Sequence, residues 1–254
     1  MKSIIQRRYL FFKSARVILD DDLFFELVKK RKYSYIIGIS HNQLKVPKYI
    51  KIKRKKTINI YLDKRLDDVF RAFNDTSRNE IRKTFRMPEF SFVRNHKDFK
   101  EVYKVYKAFR KNKKMDIKSP SFLKAAMLFK AYYKGELISV ITCYDAFPYL
   151  RIQNIFSKLH KGDKDLRRLI GYATRRLVYE ICKYGNEGGY KLLDLAGVNL
   201  VDPKKAGITQ FKSSFGGKIE NEYTYTYKSP IARMLIFIRD FIRKCYENTF
   251  FHKR

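Results

Sequence analysis

Along this chain the apolar positions alternate between a period of two and a period near 3.6, and the switches between them mark out the elements. Tyr9–Phe12 and Val17–Leu19 are apolar runs, Asp20, Asp21 and Asp22 can cap a short helix reaching Lys30, and Tyr33–Ile39 and Thr57–Leu62 carry the β-branched and aromatic residues of strands. The basic run Lys51–Lys56 lies between two strand-like segments and reads either as a solvated edge or loop or as a binding surface. Leu66, Val69, Phe70 and Phe73 fall at helical spacing and predict a helical stretch over Asp63–Arg86. Phe90–Val93 follows as a short strand, then a helix over Asp98–Lys111 with Phe99, Val102, Tyr103, Tyr106 and Phe109 inward, and a short helix opened by Ser119 and Pro120. Lys130–Tyr133 and Glu136–Tyr144, joined at Lys134 and Gly135, predict a hairpin.

From Tyr149 the order becomes strand, helix, strand, helix, strand. Tyr149–Leu159 reads as a strand, His160–Lys164 as a basic turn, Asp165–Tyr184 as an amphipathic helix and Lys191–Ala196 as a second strand. Leu166, Leu169, Ile170, Ala173, Leu177, Val178 and Ile181 form the apolar face of that helix, and Gly185 is expected to end it. Tyr223–Tyr227 alternates Tyr and Thr as a strand does, and Pro230–Tyr246 reads as a closing amphipathic helix. The pattern divides the chain into a β-rich part over 1–62, a main α+β domain over 63–230 and a C-terminal amphipathic helix over 231–254.

Composition adds one strong constraint. Lys and Arg number 57 against 25 Asp and Glu, a formal net charge of +32, with hydrophobic residues at 45%. A globular protein whose field attracts polyanions is expected: nucleic acid, the phosphates of a nucleotide or of coenzyme A, or an anionic membrane face. Cys143, Cys182 and Cys245 lack metal-ligand spacing and read as free thiols in a reducing compartment. No apolar run approaches the ~20 residues of a membrane span, and residues 1–8 lack the core of a signal peptide. A cytoplasmic protein is expected, with the helix at 230–246 either packed on its own sheet or resting on an anionic membrane.

Candidate chemistry concentrates after the Tyr149–Leu159 strand. Arg168, Gly171 and Ala173 fit R/Q-x-x-G-x-G/A, a pattern that serves a helix start whose free N–H groups face a pyrophosphate. The same glycine would equally serve helix–sheet packing. Lys158, His160, Lys161 and Lys164 make a basic rim beside it. Arg78, Arg82 and Arg86 form a cationic stripe, either for phosphate contact or as a solvent face paired with Asp75 and Glu80. Asp194, at the end of a buried strand, either accepts a proton or fixes the following turn.

Three stretches together resemble the GNAT acyltransferase fold, in particular the Fem-type peptidoglycan-bridge aminoacyltransferases and their single-domain acyl-CoA-using relatives. They are Arg78–Lys83, the strand–loop–helix that ends in Tyr190–Gly197, and Gly207–Gly217 with its Phe211, Lys212, Phe215, Gly216 and Gly217 ahead of a Tyr-rich strand. The resemblance covers residues 60–230 and implies a GNAT-like, mostly antiparallel mixed sheet flanked by helices, with 1–62 as a truncated lobe. It implies acyl transfer from a thioester or ester to an amine, without a covalent enzyme intermediate and with no tightly bound cofactor or metal. The oxyanion would be held at Asn154, Ile155 and Phe156, and the donor phosphates by Arg167, Arg168, Gly171 and Lys161. Lys212 and Asp194 would serve catalysis, with Arg78, Arg82 and Phe211 against the acceptor. The implied donor is acyl-CoA, aminoacyl-tRNA being the alternative, and the implied acceptor is an amine on a phosphate-linked cell-envelope or peptidoglycan-type precursor. A basic nucleic-acid-binding protein without catalysis is the competing class.

Overall fold

The computed structural model describes residues 4–9, 12–235 and 237–238. In chain order the elements are β1 (Ile4–Tyr9), β2 (Phe12–Ile18), α1 (Asp21–Lys30), β3 (Tyr35–Ser40), β4 (Lys51–Tyr61), α2 (Leu66–Arg71), α3 (Asp75–Phe85), β5 (Phe90–Arg94) and α4 (Phe99–Asn112). They continue as α5 (Pro120–Lys124), β6 (Met127–Tyr133), β7 (Glu136–Ala146), β8 (Tyr149–Ser157), α6 (Lys164–Glu187), β9 (Leu192–Asp194), α7 (Ala206–Ser213) and β10 (Lys218–Lys228).

The chain forms two compact units, one over Lys55–Asn221 and one from Ile4–Arg54 with the chain from Glu222 onward. The second unit carries strands in the order β1-β2-β3-β10, antiparallel except for β2 with β3. Helix α1, capped by the Asp20 carboxylate on the Leu23 amide, packs Phe24, Leu27 and Val28 into a core with Tyr223, Tyr225 and Tyr227. The Tyr/Thr alternation of β10 therefore puts its tyrosines on the core face.

In the first unit the strand order is β4-β9-β8-β7-β6-β5. Only β8 and β9 run parallel there; their neighbours pair antiparallel. β7 reads as a near-continuous apolar run because helices cover both faces of the sheet. On one face lies the larger core, with Ile81 of α3 and Ala173, Leu177, Val178 and Ile181 of α6; on the other, Val102 and Tyr106 of α4 meet Leu123, Val140 and Phe156. This is the α+β, mostly antiparallel arrangement expected from the motifs.

Several boundaries differ from the sequence expectations, each for a physical reason. The Lys51–Lys56 run is part of β4, not a loop, although its side chains through Lys55 stay exposed. Asp63–Arg86 is two helices, because the Asn74 carboxamide accepts the Ser77 amide and restarts the chain as α3. Helix α6 runs through Gly185 to Glu187. A Cβ at Gly185 would lie 2.5 Å from Leu62 Cδ1 and 2.8 Å from Leu150 Cδ1, so this glycine permits close packing on the sheet instead of termination. Of the expected C-terminal helix, residues 230–235 are helical and most of the remainder lies outside the described residues, as does Cys245. Cys143 and Cys182 are free and buried, and burial raises both thiols well above their ordinary range, which keeps them protonated at neutral pH. Among the described residues no helix is long and apolar enough to cross a membrane, and no cluster of His, Cys, Asp or Glu could hold a metal ion.

Candidate active site

Strand β8 is bordered differently on its two edges. On the β7 side it is paired from end to end, with one shift: Thr142 faces Asn154 and Cys143 faces Ile152, which leaves Gln153 as an extra, bulged residue. On the β9 side it is paired only from Tyr149 with Leu192 to Arg151 with Asp194. Beyond that point the two strands part.

The separation is enforced by Asp194. Its fully buried carboxylate takes the Ala196 amide at 2.7 Å, the Thr57 hydroxyl, and an ion pair with the buried Arg151 guanidinium. Ala196 adopts a left-handed backbone (φ 62°), and the Leu195 amide turns to Ile58 O at 2.8 Å. An aspartate that binds the amide two residues on is a turn device. Of the two roles open to Asp194 from sequence, the geometry displays the turn.

A cavity of about 520 Å³ occupies the gap this leaves. Ile152–Ile155 form one wall, Leu195 and Ala196 the opposite one, Gly171, Thr174 and Arg175 of α6 a third, and Gly207, Ile208, Phe211 and Lys212 of α7 close it. A second cavity of about 360 Å³, lined by Tyr106, Phe109, Met115, Phe156 and others, shares Phe109, Lys113, Asn154, Ile155 and Ile208 with the first. Because β9 has left, backbone groups on that edge of Ile152–Ile155 have no strand partner and border the space.

The Phe211–Gly217 motif places α7 against this gap. Phe215 is fully buried, with ring centroids 5.1 Å from Phe73 and 5.1 Å from Phe211. Gly216 then takes φ +66°, and a Cβ there would sit 2.0 Å from Ala72 O, so only glycine passes. With Phe215 anchored, Lys212 points back along α7, and its Nζ donates to Ala196 O and Gly197 O, both at 2.9 Å. Lys212 is 9% exposed and lies on the cavity wall. It ties the helix to the turn that follows β9.

Among the described residues the ionisable ones lining the larger cavity are Lys113, Arg175 and Lys212, with no carboxylate. Arg175 is held by Glu80 (2.9 Å) and stands 5.4 Å over the Phe211 ring. Arg175 Nε and Glu80 Oε2 are both buried without a hydrogen-bond partner of good geometry.

Of the residues singled out from sequence, Asn154, Ile155, Gly171, Phe211 and Lys212 converge on the larger cavity and Phe156 on the second. The phosphate candidates lie apart from them. Arg167, Arg168 and Lys161 are exposed at the start of α6, Arg168 paired with Asp165 at 3.1 Å. There the Leu166 amide is already taken by Asp163 Oδ1 (2.9 Å), and Gly171 lies about two turns inside the helix, where amides are internally bonded. Arg78 turns onto Phe73 O at 2.7 Å and the Asp75 carboxylate, and Arg82 stands 5.7 Å from the Phe70 ring. Neither lines the cavity. Arg175, Glu80, Lys113 and Ile208 were not singled out from sequence; the available signal was that Arg175 follows Gly171 by one helical turn and so shares its face.

No family model matches this chain, and no curated protein does. Among solved structures, FemX superposes with a TM-score of 0.65 at 12% identity, over 91% of this chain and 85% of that one. The C-terminal domain of a putative lysylphosphatidylglycerol synthetase from Agrobacterium fabrum gives 0.53 at 11% identity, over 92% of this chain and 83% of that one. L-PGS from Bacillus licheniformis gives 0.50 at 13%, over 93% and 84%. At such identities the likeness is one of architecture: the chain shares the fold of FemX and of these two synthetase structures.

Proposed function

We propose that this protein transfers an acyl group from acyl-CoA to the amine of a phosphate-linked cell-envelope precursor. The observation that carries the proposal is the β8–β9 gap, a cavity whose walls combine unpaired strand backbone, an aromatic ring and the Lys212 ammonium. The acceptor nitrogen would attack the thioester carbonyl carbon, the oxygen would gather charge against the β8 edge, and the C–S bond would break to release the CoA thiolate. The proton lost by the amine would travel through water to that thiolate, since no carboxylate among the described residues lines the cavity. Lys212 would hold the Ala196–Gly197 turn and keep positive charge beside the oxyanion. Arg167 and Arg168, about 5 Å along α6 from Gly171 at about 1.5 Å per residue, and Lys161 just before the helix would meet donor phosphates. The fold neighbours support an envelope acceptor, since one is named for lysylphosphatidylglycerol.

A second reading takes aminoacyl-tRNA as donor. It is favoured by the net charge of +32 and by Lys100, Lys104, Lys107 and Lys111, exposed along α4 towards the cavity residue Lys113. The test is thiol release from short acyl-CoAs with amino-sugar or peptide amines present. Amine-dependent release that Lys212→Met abolishes supports the CoA reading. Amine-dependent deacylation of charged tRNA, with no thiol release, would replace it by the second.

A further inference from the structure

The smaller cavity bears on which acyl group is moved, an inference that rests on the transferase reading above. It opens off the main cavity along Phe109, Asn154, Ile155 and Ile208, and most of its wall is the apolar surface of Tyr106, Phe109, Met115, Ile155, Phe156 and Ile208. Among the described residues its charged side chains are Arg110 and Lys113, both cationic. Arg110 is pinned by its Nε to Asp116 O at 2.8 Å, and its guanidinium stands 5.8 Å from the Tyr106 ring. The Asp116 carboxylate is 87% exposed, is paired with Lys118 at 3.4 Å and is not in the wall. Arg175 and Lys212 face the main cavity; Glu80 is committed to Arg175, and Asp194, near Lys212 through Ala196, to Arg151, Thr57 and the Ala196 amide.

We infer that this side chamber receives the tail of an apolar acyl group that carries no ammonium. An aliphatic or aromatic tail would bury against Phe109, Phe156 and Ile208 with the hydrophobic gain of leaving water. The same tail ending in an ammonium would shed its hydration beside Arg110 and Lys113, with no carboxylate among the described lining residues to compensate, which is costly. The chamber thus discriminates by repulsion as well as by contact.

Calorimetry of the whole protein with octanoate and with 8-aminooctanoate tests this, since the probes share a carboxylate and chain length and differ in the terminal ammonium. Octanoate is expected to bind at least about tenfold more tightly, a difference of about 1.4 kcal/mol. Met115→Glu, at a position 48% exposed, adds a carboxylate to the chamber without disturbing the core and is expected to shrink the ratio below threefold. Equal binding of the two probes, absence of octanoate binding, or a ratio that Met115→Glu leaves unchanged would overturn the inference. CoA titrated into the same samples reports on the donor separately: octanoate selectivity without CoA binding would sink the acyl-CoA reading and leave the chamber's preference standing.

Discussion

Along β8, Tyr149–Arg151 and Ile152–Ile155 share the same neighbour on one edge and face different surroundings on the other. The first three residues sit between β7 and β9, and Arg151 is closed off by the Asp194 carboxylate. The next four lose β9 while all but the bulged Gln153 keep β7, and they border the cavity with Lys212 and Arg175. One strand is thus a packed beam over its first half and the wall of a site over its second. Strand identity does not separate them. The turn after Asp194 does, which makes a buried ion pair the device that opens the site.

Substitutions can break that contrast, and the largest effect belongs to the paired half. Asp194→Ala strips the carboxylate from a buried guanidinium and is expected to cost about 3–5 kcal/mol in urea unfolding; a loss below about 1 kcal/mol would mean that the pair does not hold the turn. In the open half, Lys212→Met leaves two carbonyls without their shared donor and should cost about 1–3 kcal/mol. Transfer should fall about 100-fold in the same variant, read as turnover at saturating donor. Unchanged turnover would reduce Lys212 to a structural tie.

Arg168→Glu sharpens the contrast from outside the gap. The side chain is 63% exposed, so stability should move by no more than about 0.5 kcal/mol. Affinity for CoA should drop several-fold if donor phosphates dock at the start of α6; unchanged affinity would place them elsewhere. The smallest effect concerns Tyr61 on β4, beside β9, whose hydroxyl donates to Glu220 at 2.6 Å. That hydrogen bond, with partial burial, pushes the phenol up to about 12. A folded value above the unfolded one of about 10 gives stability that is complete below pH 10 and lost as pH rises towards 12. Unfolding followed between those limits should show the decline, and Tyr61→Phe should flatten it.

How much of this was readable beforehand depends on what each residue does. The apolar face of α6 was legible because burial on one side imposes a helical period; Ala173, Leu177, Val178 and Ile181 are all core. Gly185 misled because a glycine that admits a neighbouring leucine is written the same way as one that ends a helix. Phe211 and Lys212 were legible as a motif, since Gly216 and Phe215 leave few alternatives. Arg175 was not, because its one signal, a spacing of one helical turn from Gly171, is shared by the exposed Arg167 one turn before it. The pattern of contacts around Asp194 links Thr57, Arg151 and Ala196, three places far apart in sequence that no local signal joins.

Hydrogen–deuterium exchange with and without octanoyl-CoA tests the central claim most directly. Slowed exchange at Ile152–Ile155 and at Leu195–Gly197, with Tyr149–Arg151 unchanged because it is already paired, is the predicted result. Protection confined to Lys161–Arg168, or none along the open half of β8, would contradict the assignment of the gap as the place of acyl transfer.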